Sequence, residues 1–166
     1  MKIQAKVINA FCNNVGKELG KTGAALLNRK IKPSVYQGVS TETASSVAFY
    51  FNLLGENTSG AVKFDFSDDL MRYIRTEVCE INEQELVLED GEYEAEDVEN
   101  FLLELSANIF ELAKAELEDT PDRIEQDMPK ILNGAQSLNF GDDRITLLTP
   151  IGSTKGIIFL KFIFEK

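Results

Sequence analysis

Glu104 and Asn108 are the side chains of this sequence whose types and spacing could do chemistry on something bound. They stand four residues apart in ELSANIFELAKAEL, and helical residues so spaced bring their side chains to within about 6 Å of each other. The chain has no histidine, which excludes Ser-His and Cys-His nucleophile pairs, imidazole acid/base catalysis and histidine-based zinc or iron sites. Any chemistry must run on carboxylates, amides, hydroxyls, lysines or a group that a partner brings. An acidic helix face of this kind is also what plain solvated surface looks like.

The element that must position the pair is the longest periodic stretch of the chain, residues 94 to 118, which is free of Gly and Pro. It predicts a helix of about 25 residues, or about 38 Å. At 100° per residue, Val98, Leu102, Leu105, Ile109 and Leu112 fall near one line, the apolar stripe of a helix lying on a core, and Phe101 and Ala113 widen it. Glu104, Asn108, Glu111 and Ala115 project from a line roughly 100° away. The pair is therefore expected to face partly outward.

Length and composition suit one domain spanning residues 1–166, with 43% hydrophobic content and a real core. No run of 18 apolar residues occurs, and MKIQAKVINAFCNNV lacks an apolar signal region, so a soluble, cytoplasmic protein with no membrane partner is expected. Cys12 and Cys79 lie in helix-like contexts and read as buried thiols in a reducing compartment. The net charge of −11 is uneven. Residues 77 to 127 hold 19 acidic residues against Lys114 and Arg123, a local balance of −17, while the remainder is +6. Nucleic acid is repelled by such a surface, and a partner with a basic face complements it.

Residues 3 to 19 place Ile3, Val7, Ile8, Phe11, Cys12, Val15 and Leu19 at helical spacing, stopped by Gly20 and Gly23. Asn13, Asn14 and Glu18 lie on its polar side, either as a second site or, more plainly, as solvated surface. Strands are expected over 30–39, over 48–54 as a central strand, and over 61–66 with Val62, Phe64 and Phe66 inward and Lys63 and Asp65 outward. The second and third should pair antiparallel across GENTSG. Ser67 caps a short helix carrying Leu70, Met71, Ile74 and Val78. The acidic run 80–93 reads equally as a hairpin around Asp90-Gly91 or as a loop. Extended segments follow over 127–134, 137–140, 144–148 and 156–164, the last apolar enough for burial on both faces. The order predicts an α+β fold: two long helices packed on a mostly antiparallel sheet of about six strands.

Four stretches carry a resemblance to the CheC/CheX family of chemotaxis phosphatases, closest to CheX. They are Ile8-Asn9-Ala10-Phe11; the strand-turn-strand around Gly55 and Gly60 followed by FDFSDD; ELSANIFELAKAEL; and MPKILNG from Met128 to Gly134. The resemblance implies a CheC-like fold, a homodimer, and binding of a phosphorylated CheY-like receiver domain whose aspartyl phosphate is hydrolysed. It implies no cofactor or metal of the protein's own, since Mg²⁺ is held by the receiver. It also implies roles on the long helix: an Asn orients the attacking water and a Glu pairs with a receiver lysine, so the protein supplies positioning. The sequence departs from the family's Glu-x-x-Asn. If Glu104 matches the Glu, Ala107 fills the Asn position; if Asn108 matches the Asn, Leu105 fills the Glu position. The outward face favours the first alignment, with Asn108 about 40° round from Glu104 on the helical wheel. Two readings follow: a receiver phosphatase using Glu104 and Asn108, or a silent module that binds a receiver or another partner without hydrolysis.

Overall fold

The computed structural model describes residues 4–27, 34–36, 40–42, 45–82, 94–133, 137–139 and 143–165. In chain order these form α1 (Ala5–Gly20), β1 (Ser34–Tyr36), β2 (Ser40–Glu42), β3 (Val47–Leu54), β4 (Ser59–Phe66), α2 (Asp68–Tyr73), a π-helical turn (Ile74–Val78), α3 (Glu96–Leu117), β5 (Lys130–Asn133), β6 (Ser137–Asn139), β7 (Arg144–Ser153) and β8 (Gly156–Glu165). Six strands build an antiparallel sheet in the order β1-β7-β8-β4-β3-β5, and β2 pairs with β6 as a separate ribbon. The α+β layer is the expected one. Among the described residues the strands number eight, in two sheets, because short segments before β3 and before β7 find each other and stay off the main sheet. Most of the acidic run 80–93, left undecided between hairpin and loop, lies outside the described residues, as does Ile3.

Period-two alternation turns one set of side chains from each strand toward the helices. Phe49, Phe51 and Leu53 of β3, Val62, Phe64 and Phe66 of β4, and Ile158, Leu160 and Phe162 of β8 are all buried toward the helices. The aromatic rings close the layer. Phe51 stacks on Phe110 of α3 with centroids 4.5 Å apart and planes 8° from parallel. Phe11 of α1 meets Phe162, Phe110 and Phe64 at 5.7, 6.1 and 6.2 Å. Both long helices are thereby keyed to the same sheet and to each other.

The keying turns α3 from the expected setting. Phe110, Ser106 and Leu117 join the buried arc, whereas Leu112, expected in the apolar stripe, is 38% exposed. The centre of the buried arc is displaced by about 50° at 100° per residue. Glu104 thus stands about 170° and Asn108 about 130° from the core line, further out than their sequence pattern predicts.

β3, predicted as a central strand, is paired on both sides, with β4 and, from Val47↔Asn133 to Tyr50↔Lys130, with β5. The carboxylate of Asp127 accepts the Asn52 amide at 2.6 Å and so leads β5 onto β3. Terminal β8 lies between β7 and β4. Gly60 is required where β4 meets β8: a Cβ there would lie 1.9 Å from the carbonyl oxygen of Ile163.

Lys63 and Asp65 point away from the helices, as alternation predicts, yet both are fully buried. They lie 3.4 Å apart, Lys161 of β8 approaches Asp65 to 3.6 Å, and Asp65 accepts the Ser45 amide and hydroxyl at 3.0 and 2.6 Å. Burial pushes the Lys63 ammonium down from its ordinary 10.5 to about 8, against the opposing attraction of Asp65.

Two outcomes follow from this packing. Phe110→Ala is expected to cost about 3–5 kcal/mol in urea unfolding, the range for truncating a buried aromatic; a loss under about 1 kcal/mol would mean that the stack does not anchor α3. For Lys63, the unfolded chain holds the proton up to about pH 10.5 and the folded chain only to about 8, so this group makes stability rise with pH inside that window. Wild type should gain stability relative to Lys63→Met as pH goes from 8 toward 10.5, and a flat difference across the window would contradict it.

Candidate functional site

Glu104 and Asn108 are both exposed and line one cavity of about 340 Å³. Its other walls come from the end of α1 (Glu18, Lys21, Thr22) and from the π-helical turn (Glu77, Val78), while Phe101 and Leu105 of α3 complete the lining. The cavity is apolar through Val78, Phe101 and Leu105 and carries three carboxylates, Glu18, Glu77 and Glu104. Among the described residues no group of three or more acidic or thiol side chains could hold a metal ion.

Each wall has a local cause. Helix α1 stops at Gly20, and the chain turns through Gly23 at φ +92°, a conformation that favours glycine. Tyr73 of α2 donates its hydroxyl proton to the Thr22 carbonyl at 2.5 Å, which ties this turn to the second wall. Helix α2 is in turn fixed to the sheet by Ser67. Its hydroxyl oxygen accepts the Leu70 amide at 3.3 Å as the expected N-cap and the Ile157 amide of β8 at 2.9 Å. Past Tyr73 the helix widens into a π turn, a feature frequent at functional sites, and it ends near Glu80, a non-glycine residue at φ +55°.

The π turn is held to the start of α3 by a buried ion pair. Arg75 donates to Glu94 through Nε at 2.8 Å and through Nη2 at 2.7 Å, and the Ser46 hydroxyl donates to the same carboxylate at 2.8 Å. Burial alone would raise the Glu94 carboxyl; the hydrogen bonds from Arg75 and Ser46 and the Arg75 charge outweigh it and hold it below the usual carboxylate range. The spacing between the π turn and α3, and so the width of the cavity, depends on this clamp.

The polar residues of α1 correct the sequence reading. Asn13 is exposed, but Asn14 and Glu18 are not solvated surface. Asn14 is buried and donates to the Ala10 carbonyl at 2.7 Å and to Glu116 of α3 at 2.9 Å, bracing the two helices. The Glu18 side chain is only 5% exposed, faces the cavity and accepts from Lys21 at 2.7 Å, while Lys21 itself is 70% exposed. Cys12 is buried, its thiol pushed up to about 12 by burial, and Cys79 is half-buried; both are free thiols.

The same course of chain recurs in solved structures. CheX from Desulfovibrio desulfuricans superposes with a TM-score of 0.71 at 13% identity, over 96% of this chain and 99% of that one. A CheC-like superfamily protein from Shewanella sp. PV-4 gives 0.68 at 19% identity, over 99% and 100%. CheX from Vibrio vulnificus gives 0.65 at 17%, over 96% and 99%. This chain has the CheX/CheC-like fold. No family model and no curated protein matches its sequence, so the likeness is carried by the fold. Among the described residues no helix is long and apolar enough to cross a membrane.

Within that fold the alternatives for the Glu-x-x-Asn position part company. Ala107, three residues after Glu104, is half-buried and packed against the core, and Leu105 is buried at 5% exposure. Of the polar candidates, Glu104 and Asn108 alone reach the cavity from α3. Lys21, Thr22, Glu77 and Val78 escaped the sequence reading, because nothing in their local pattern places three distant segments around one space. The signal that was present is the Glu18–Lys21 spacing at i, i+3 beside a helix stop.

Glu94→Gln is expected to destabilise the fold by about 1–3 kcal/mol, since it takes the charge from a buried carboxylate that accepts two hydrogen bonds from Arg75. The pH dependence has a definite sign: a carboxyl held below its ordinary value of 4.5 contributes stability above that pH and loses it as pH falls through the folded value. Thermal melts should therefore show wild type and Glu94→Gln converging as pH drops below about 4.5. Parallel curves down to pH 3 would refute the clamp.

Proposed function

We propose that the protein is a CheX-like signalling protein that binds a phosphorylated CheY-like receiver domain on the outward face of α3 and promotes hydrolysis of its aspartyl phosphate. One observation carries this reading. On a CheX/CheC-like fold, a carboxylate and a carboxamide one helical turn apart, Glu104 and Asn108, are exposed together and line a single cavity.

The chemistry asked of this chain is positioning. The Asn108 carboxamide accepts a hydrogen bond from a water and orients it in line with the phosphorus. The water oxygen forms the new P–O bond as the bond to the receiver's aspartate breaks, leaving inorganic phosphate and a free carboxylate. Glu104 pairs with a lysine of the receiver and sets the docking angle. Mg²⁺ belongs to the receiver in this scheme. The acidic character of residues 77 to 127 favours approach of a basic partner face.

A second reading, a module that holds the receiver without hydrolysing it, is favoured by Ala107. It occupies the position three residues after Glu104 and presents no polar atom. The two are separated by following phosphate loss from a phosphorylated receiver. Wild type should accelerate it, and Asn108→Ala should forfeit about 100-fold of the acceleration while still binding, in line with the cost of misplacing a reacting group. Binding without acceleration by wild type establishes the holding module, and absence of binding overturns both.

A further inference from the structure

The cavity beside Glu104 contains a feature that the docking reading leaves unused. Glu18 is nearly wholly buried at its edge, and its cation, Lys21, is the opposite, with a side chain 70% exposed. Ion pairs held by an exposed lysine at i, i+3 contribute little, because solvent screens them and the side chain gives up freedom to make them. A buried carboxylate, in contrast, needs a counter-charge. Glu18 is therefore matched by a partner that is easily exchanged. Glu77, exposed on the π turn, lines the same cavity, as do the apolar side chains of Val78, Phe101 and Leu105.

Such a cavity suits a long aliphatic stem with a cationic head, which is the chemistry of lysine and arginine: the stem lies on the apolar lining and the head reaches the carboxylates. A compact metal ion does not fit the arrangement, since the cavity's carboxylates do not converge as a metal site. We propose that the cavity receives a basic side chain of the docked receiver, separate from the one that Glu104 meets, and that Lys21 occupies Glu18 in the free protein until that side chain displaces it. The source of the side chain rests on the docking reading above. Glu18 and Glu77 are then specificity-determining residues, and Lys21 is an internal competitor.

The test uses the full chain and three amide probes: Nα-acetyl-lysine methylamide, the arginine equivalent, and the norleucine equivalent as an uncharged stem. Binding is read by NMR shifts of Val78, Leu105 and Thr22. The lysine or arginine probe should move these resonances and norleucine should not. Lys21→Met should tighten the basic probe about threefold, the scale of an exposed ion pair. Glu18→Gln should weaken it at least about tenfold, the scale for loss of a buried charged partner, and Glu77→Gln, at an exposed position, should weaken it without touching the fold. Equal binding of norleucine, no shifts in the cavity, or variants indistinguishable from wild type overturn the proposal. A receiver loaded with Mg²⁺ and beryllofluoride separates the two readings. If it fails to bind wild type while the amides behave as stated, docking fails and the cavity's preference stands. If it binds wild type, Glu18→Gln and Glu77→Gln alike, docking stands and this assignment fails.

Discussion

The stack of Phe110 on Phe51 is the contact from which the rest of the molecule takes its bearings. A helix laid on a sheet has one soft degree of freedom, rotation about its own axis, and a flat apolar stripe constrains it only loosely. A ring inserted between rows of the sheet constrains it tightly, because any rotation opens a void that close-packed interiors do not tolerate. Phe11 carries the same constraint into α1, as it meets rings of α3, β4 and β8 at once. The outward direction of Glu104 and Asn108 is thus set on the far side of the helix, by aromatic packing.

The second constraint is electrostatic and fixes width where the first fixes angle. Arg75, Glu94 and Ser46 join the π turn, the entry to α3 and the start of β3 in one buried hydrogen-bonded group. Burying a charge is unfavourable unless it is matched in kind, so the three segments hold together. Within the π turn Arg75 reaches Glu94 while Glu77 and Val78 line the cavity. Local helical regularity is given up at that point, and a wall of the site is formed there.

A protein without histidine, built this way, offers geometry more than reactivity. Its polar groups at the cavity are carboxylates, a carboxamide, a hydroxyl and one lysine, none of which attacks a phosphate unaided at neutral pH. What they supply is orientation and charge complementarity, which suffice where the partner brings the reactive bond. The four-residue spacing puts Asn108 about 40° round from Glu104 in one sense about the helix, where a three-residue spacing would put it about 60° round in the other, so a partner that engages both side chains as proposed must suit this spacing.

Much of this was legible before any coordinates. The periodicity of residues 94–118 declared α3, the alternation of β4 declared which of its side chains face the helices, Ser67 declared a cap, and the four quoted stretches pointed to the CheC/CheX fold. Such features are local, set by repeat lengths of 3.6 and 2 and by side chains that serve their own backbone. The sequence equally contained Phe110, Leu112, Glu18 and Lys63, but not their environments: Phe110 inside, Leu112 half out, Glu18 buried beside a cavity, Lys63 buried beside Asp65. Those were decided only in the tertiary structure, because each depends on which distant segment lies opposite, and no periodicity along the chain encodes what a side chain meets across a gap.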